Sequence, residues 1–324
     1  MIYSFDRGDP NQEKLLALLQ RAGLDYEIIE KDGVVVHVLG AIASDLQVQL
    51  QSNFHGRKAV PSPCYAEIIE RKEPIVIAGP CAVESEEQLA QTTAFLAELG
   101  IKYLRGGAFK PRTSPMSFQG LGKTGLRLLA KYTQRYGLKI VTEVMDRSHL
   151  DLVREYADII QVGMRNMFNY SLLVALGAVD KPILLKRSMS ATIKEWMAAA
   201  EYISRGGNRA LILCERGIRT FEPLTRNTLD IAAVPLAKKL TGYPVIADPS
   251  HAAGRADLVP ALALAALAAG ADGVMIEIHP QPQQALSDEK QALTFAQFKD
   301  LLQKIRQLNS LHMNLNSHSN WEIQ

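Results

Sequence analysis

From residue 73 onward, short apolar runs alternate with longer stretches whose apolar positions recur at helical spacing. The runs are IVIAG from Ile75, KYLRG from Lys102, KIVTEV from Lys139, DIIQVG from Asp158, PILLKR from Pro182, ALILCER from Ala210, PVIADPSH from Pro244 and DGVMIEIH from Asp272. Residues 86–99, 121–135, 190–204 and 257–269 read as helices between them. Eight strands alternating with helices over about 235 residues match a (β/α)8 barrel in count and size. An open doubly wound sheet would have fewer strands and a glycine fingerprint at its switch point.

The first sixty residues follow a different pattern. IYSF (2–5) reads as a strand and residues 11–22 as an amphipathic helix, with Asp9 or Asn11 as cap and Pro10 at its start. EIIE (27–30) and VVVHV (34–38) flank Lys31-Asp32-Gly33, a hairpin signal. Residues 43–51 suggest a second helix and 57–60 a last strand, and that order is the ferredoxin-like pattern. PSPC (61–64) reads as a linker. The expected organisation is a ferredoxin-like regulatory or interface domain over 1–66, a catalytic barrel over 67–308 and a flexible tail over 309–324.

Composition narrows the function classes. With 47% hydrophobic and 22% charged residues the chain is an ordinary globular one, and a net charge of +2 gives no global attraction to nucleic acid or membranes. The longest apolar run, residues 258–271, is fourteen residues long, contains Pro260 and is too short to span a bilayer. Cys64, Cys81 and Cys214 are odd in number and widely spaced, so no disulfide framework is expected. The N-terminus lacks the features of a signal peptide, and a cytoplasmic location is expected.

Candidate chemistry gathers where barrels keep it, at the C-terminal ends of the strands. Residues 104–119 (LRGGAFKPRTSPMSFQ) place Arg105, Lys110 and Arg112 together after the second strand, where they repel one another unless an anion neutralises them. Cys81 follows the first strand, Glu143 the third and Arg165 the fourth. Lys186 and Arg187 end the fifth, Arg216 the sixth, Asp248 and His251 follow the seventh, and Glu277 and His279 end the eighth, with Asp288 shortly beyond. Arg105, Lys110, Arg165, Lys186 and Arg216 suit a substrate carrying both phosphate and carboxylate. Cys81, His251, Glu277 and Asp288 offer a sulfur, an imidazole and two carboxylates, a set suited to Mn, Fe, Co or Zn. Each also has a bland alternative, as core thiol, cap, ion-pair partner or surface carboxylate. GLGKT (120–124) fails as a phosphate loop, because Ser117 stands where its first glycine belongs.

AGPCAVES (78–85), LRGGAFKPRTSPMSFQGLG (104–122), LLKRSM (184–189), LCERGIRTFE (213–222) and ADPSHAAGR (247–255) together resemble the 3-deoxy-D-arabino-heptulosonate 7-phosphate (DAHP) synthase family over residues 73–306. The resemblance implies condensation of phosphoenolpyruvate with erythrose 4-phosphate, the first step towards chorismate, with release of phosphate. It implies a divalent metal on Cys81, His251, Glu277 and Asp288, and phosphoenolpyruvate on Arg105, Lys110, Arg165, Lys186 and Arg216. Pro111, Arg112, Thr113 and Ser114, with Lys110, match the segment that meets erythrose 4-phosphate. Lys110 or a metal-bound water is then the proton donor, and Glu143 positions the attacking water or pairs with a cradle cation. The N-terminal segment resembles the ferredoxin-like domain of short-chain members, which implies feedback by tyrosine or phenylalanine and a homo-oligomer, tetramer or dimer.

Three rivals remain. The sister family making 3-deoxy-octulosonate 8-phosphate from arabinose 5-phosphate shares the cradle, but carries a KANRSS-like sequence where this chain has KPRTSP. A non-catalytic aromatic-amino-acid sensor would not need the four-ligand set. Fused chorismate mutase activity would need long N-terminal helices in place of a hairpin.

Overall fold

A computed structural model describes residues 2–5, 8–30, 34–38, 63–71, 73–110 and 114–318. The chain divides into two compact units, residues 1–61 and 62–324.

In the first unit, β1 (Ile2–Phe5), α1 (Pro10–Arg21), β2 (Tyr26–Glu30) and β3 (Val34–Val38) follow in that order. Helix α1 begins as the sequence suggests: Asp9 accepts the Asn11 N–H at 2.9 Å, and Pro10 sits where its missing N–H costs nothing. The strands form an antiparallel sheet in the order β1-β3-β2. Leu15 and Leu19, four residues apart on one helix face, bury with Phe5, Val34, Val36 and Val38. The helix expected at 43–51 and the strand expected at 57–60 lie outside the described residues, and with them the second half of the ferredoxin-like pattern.

In the second unit, β4 (Ile75–Gly79), β5 (Tyr103–Arg105), β6 (Lys139–Val144), β7 (Ile159–Val162), β8 (Ile183–Lys186), β9 (Leu211–Glu215), β10 (Val245–Ala247) and β11 (Gly273–Glu277) are parallel. They close into a barrel, β11 pairing with β4. The helices α3 (Glu86–Glu98), α4 (Lys123–Tyr136), α5 (Leu150–Tyr156), α6 (Tyr170–Leu176), α7 (Ile193–Arg205), α8 (Ala233–Thr241), α9 (Pro249–Ala253), α10 (Val259–Ala268) and α11 (Phe295–His318) come between and after the strands.

Alternation along each strand sorts the core and then selects the chemistry. One parity, with Val76, Leu104, Ile140, Ile160, Leu185, Leu213 and Ile276, packs under the helices. The other parity, with Ile77, Tyr103, Val141, Ile159, Leu184, Cys214, Ile246 and Met275, forms a separate interior cluster. Counting on by twos from these interior residues reaches Cys81, Arg105, Glu143, Gln161, Lys186, Arg216, Asp248 and Glu277. The groups at the mouth therefore lie on the inward register of the strands that carry them.

The opposite end is closed by an element whose first two residues the sequence reading placed in a linker. Residues Pro63–Glu70 form helix α2, whose Cys64, Tyr65 and Ile68 join the interior cluster. Proline at its first position and these apolar side chains on one face account for a helix that is only eight residues long. Tyr65 Oη donates to Leu211 O at 2.9 Å, which fixes the helix to the start of β9. Helix α11 continues through His318, past residue 309 where the tail was expected to begin. Residues 309–318 contain neither glycine nor proline to stop a helix already anchored by Phe298, Leu301, Leu302 and Ile305. Among the described residues no helix is long and apolar enough to cross a membrane.

Candidate active site

Strand β4 ends at Gly79, whose φ is 153° and where a Cβ would collide with the Arg105 carbonyl, so glycine is required for β4 and β5 to approach. Two residues later Cys81 turns into the mouth. Its sulfur lies 3.0 Å from Asp288 Oδ2 and accepts from Lys110 Nζ at 2.9 Å. Two strands away around the barrel, after β10, the turn Asp248-Pro249-Ser250-His251 opens α9. Asp248 Oδ1 caps it by accepting the His251 N–H at 3.0 Å, and Ser250 Oγ accepts the Glu277 N–H at 3.0 Å. His251 Nε2 then stands 3.2 Å from Glu277 Oε1. Asp288 closes the group from the loop after β11 with φ at 53°, a left-handed conformation uncommon for a non-glycine residue. Arg226 Nη1 holds it there, 3.1 Å from Oδ1.

One donor atom from each of Cys81, His251, Glu277 and Asp288 lies within 4.8 Å of every other. Protonation suits ligation at three of the four. Burial, outweighing the neighbouring carboxylates, holds the His251 imidazole below its usual pKa and so neutral. Burial alone would raise Glu277 and Asp288, but the Arg105 guanidinium beside Glu277, and the Cys81 hydrogen bond with the Arg226 charge beside Asp288, hold them below the usual carboxylate range. The Cys81 thiol is pushed up to about 12, by burial first and by Glu277 next, so it keeps its proton until a cation displaces it. One soft sulfur, one imidazole nitrogen and two carboxylates fit a borderline divalent metal.

Beside these donors opens a cavity of about 200 Å³. Six cationic side chains line it, Arg105, Lys110, Arg165, Lys186, Arg216 and Arg226, against the carboxylates Glu143 and Asp288. Arg105 Nη1 donates to Glu277 Oε1 at 2.7 Å, and Lys186 Nζ to Asp248 Oδ2 at 2.5 Å. Arg216 is buried, yet it has no carboxylate partner among the described residues: Nη2 donates to His251 O at 3.3 Å and Nη1 has no hydrogen-bond partner. Burial lowers its pKa accordingly. A buried guanidinium left this way is costly unless an anion completes it. Glu143 is held by Gln161 Nε2 at 2.9 Å and forms no ion pair among the described residues.

The strand-end residues singled out from sequence thus come together, apart from His279, which turns to Glu84 at 3.4 Å, Arg187 and Ser114. Arg187, adjacent to Lys186, faces outward to Glu215 and Asp230, each at 2.9 Å, and serves the packing between strands and helices. Ser114 is exposed, its Oγ accepting the Met116 N–H, and Ser117 lines the cavity instead. Pro111, Arg112 and Thr113 lie outside the described residues. Asp248, Gln161, Arg226 and Gln291 were not assigned roles from sequence. Inward parity could have singled out Asp248 and Gln161. Arg226 and Gln291, whose Nε2 donates to Glu277 Oε2 at 2.5 Å, sit on loops that give no such signal.

Comparison with known proteins agrees with this geometry. A family model described as the DAHP synthetase I family matches residues 57–313. A phospho-2-dehydro-3-deoxyheptonate aldolase of Thermotoga maritima is 55% identical over 233 residues, covering 72% of this chain and 69% of the relative. A 2-dehydro-3-deoxyphosphooctonate aldolase of Dichelobacter nodosus is 31% identical over 73% of this chain and 91% of its own. Among solved structures, DAHP synthase of Thermotoga maritima aligns over 96% of this chain and 97% of that one, with a TM-score of 0.73 and 42% identity. A truncated form of the Thermotoga maritima enzyme aligns over 74% and 88% of the two chains, with a TM-score of 0.70 and 49% identity. The barrel, its inward-facing mouth residues and these matches together place the chain in the DAHP synthetase I family, as an enzyme of that family.

Proposed function

We propose that this chain condenses phosphoenolpyruvate with erythrose 4-phosphate and water to give DAHP and inorganic phosphate, at the entry to chorismate and aromatic amino acid biosynthesis. One observation carries the reading: a four-donor cluster opens directly into a cavity lined by six cations, in a chain of this family.

Phosphoenolpyruvate is a trianion, and Arg105, Lys186, Arg216 and Arg165 hold its phosphate and carboxylate, the unpaired Arg216 Nη1 gaining the acceptor it lacks. Fixing both ends aims the enol carbon at a second substrate and removes the entropy of finding that orientation. Carbon 3 of phosphoenolpyruvate bonds to the aldehyde carbon of the sugar, water adds at carbon 2, and phosphate leaves with cleavage of the C–O bond. Cys81, His251, Glu277 and Asp288 hold a divalent metal (Mn, Fe, Co or Zn), which when bound supplies Lewis-acid polarisation of an aldehyde oxygen. Lys110 carries the catalytic proton. Burial presses its pKa down, but Cys81 and the nearby carboxylates more than offset this, so the ammonium stays charged 2.9 Å from Cys81 Sγ and gives its proton to the new alkoxide. Glu143, held by Gln161, accepts a hydrogen bond from the attacking water. The Lys110-Pro111-Arg112-Thr113-Ser114 segment meets erythrose 4-phosphate. The N-terminal unit completes a ferredoxin-like domain that takes tyrosine or phenylalanine as feedback effector, in a homo-oligomeric enzyme.

The test is phosphate release after chelation and again after Mn²⁺ addition, with arabinose 5-phosphate in parallel. Metal-restored turnover with erythrose 4-phosphate alone is expected. Turnover with arabinose 5-phosphate would assign the chain to the octulosonate chemistry of its more distant relatives, and silence with both sugars would remove the catalytic reading. Tyrosine or phenylalanine inhibition that disappears when residues 1–61 are deleted, in a barrel shown to remain folded, tests the regulatory part. Equal inhibition with and without those residues would contradict it.

A further inference from the structure

One carboxylate at the mouth has no task in the reaction as described. Asp248 is fully buried where β10 ends. Its N–H donates to Glu215 O at 2.7 Å, and Oδ1 is taken by the His251 N–H. Oδ2 has two claimants: Lys186 Nζ at 2.5 Å and His251 Nδ1 at 2.8 Å. The first belongs to the anion cradle and the second to the metal-donor set. His251 Nδ1 is buried and lies at hydrogen-bond distance from that oxygen, but its N–H is poorly aligned with it. The adjacent carboxylate cannot substitute, because Glu215 points outward to Arg187 and binds the Gly217 N–H.

We propose that Asp248 is a positioning residue that couples the metal-donor set to the anion cradle. Phosphoenolpyruvate draws the Lys186 ammonium toward its own oxygens and away from Asp248 Oδ2. Released from the Lys186 ammonium, the carboxylate turns into line with the His251 Nδ1–H, which locks the imidazole with Nε2 facing the donor cluster. A carboxylate on the far nitrogen of a ligating histidine fixes the ring and strengthens it as a ligand. Coupling of this kind is reciprocal, so the metal tightens the anion as much as the anion tightens the metal. The proposal rests on the reading of the mouth as a metal-assisted phosphoenolpyruvate site.

The direct attraction between a dication and a trianion also couples the two ligands, and it survives substitution of Asp248. The experiment therefore compares a coupling factor rather than a single affinity. Co²⁺ is titrated into metal-free protein and followed by thiolate-to-cobalt absorbance, with and without phosphoenolpyruvate. Calorimetry of phosphoenolpyruvate binding, with and without Co²⁺, gives the reciprocal arm. In the wild type, phosphoenolpyruvate is expected to tighten Co²⁺ by about tenfold or more, within the usual range of coupling free energies. In D248N, Co²⁺ affinity alone is expected to weaken about 10–100-fold, and the enhancement by phosphoenolpyruvate to shrink at least threefold. A merely structural role would lower thermal stability and leave the enhancement intact, and that result overturns the proposal. Should D248N not fold, D248E, which keeps the charge but moves the shared oxygen, is expected to lose the enhancement, and an unchanged factor again overturns it. A folded wild-type protein that binds neither Co²⁺ nor phosphoenolpyruvate removes the underlying reading. One that binds both with an enhancement unaffected by D248N removes only the coupling.

Discussion

The two ends of the barrel are made from the same strands and obey opposite rules. At the N-terminal end, Cys64, Tyr65 and Ile68 of α2 close the interior with apolar surface, and the phenol of Tyr65 is satisfied by a backbone carbonyl. At the C-terminal end the inward positions carry Arg105, Glu143, Lys186, Arg216, Asp248 and Glu277, and Arg216 has a buried donor without a partner among the described residues. The first end is arranged to be as stable as packing allows. The second crowds charges together and leaves Arg216 to be completed by a ligand, so stability and function are separated along a single axis of the fold.

Substitutions at the two ends should therefore separate activity from stability. The largest effect is expected from Cys81→Ala, which removes the thiolate from the donor set. Loss of several kcal/mol of transition-state stabilisation corresponds to roughly a thousandfold or more in kcat, measured by phosphate release, with an unchanged circular dichroism spectrum. Next, Ile68→Ala at the closed end should cost about 2–4 kcal/mol of unfolding free energy in urea by leaving a cavity, with kcat/KM unchanged. A fall in kcat/KM would show that the two ends are not independent. Arg216→Met should move both quantities in opposite directions. The KM for phosphoenolpyruvate should rise about a hundredfold, as expected for truncating one partner of a charge-assisted contact. The melting temperature should rise rather than fall, because replacing an unpaired buried charge by an apolar side chain is worth about 1–2 kcal/mol. A lower melting temperature would mean that Arg216 is already satisfied without substrate.

The smallest effect is a dependence on pH. Because the Cys81 pKa is pushed up to about 12, the metal-free protein holds a neutral thiol throughout the neutral range, while His251 is neutral and the two carboxylates are ionised. Metal uptake then expels one proton. Apparent affinity should rise by about tenfold for each pH unit between roughly 6 and 8, with one proton released per metal in an indicator titration. An affinity independent of pH would show that the thiol does not ligate as thiolate.

Much of the mouth was legible in the sequence because barrel chemistry follows strand ends, and the apolar runs marked those ends clearly. The alternation within each run held more than was drawn from it. Lys186 and Arg187 look equivalent as neighbouring cations, yet Leu184 faces inward and Leu185 outward, so their register alone assigns one to the cradle and the other to Glu215 and Asp230. Helix α2 was hidden because PSPC reads as a linker and eight residues are too few for a clear helical period. Asp248 stood at a strand end without a role, since its partner Lys186 comes from another strand and their contact depends on barrel closure. The second half of the N-terminal pattern and the segment 111–113 lie outside the described residues.

The measurement that bears most directly on the metal-assisted site is a titration of metal-free protein with Co²⁺, following thiolate-to-cobalt absorbance and phosphate release from phosphoenolpyruvate and erythrose 4-phosphate in the same samples. Absorbance and activity should rise together and saturate at one metal per chain. Full activity before any metal is added, or saturation of the absorbance with no phosphate released, would contradict the assignment of Cys81, His251, Glu277 and Asp288 as the catalytic metal centre.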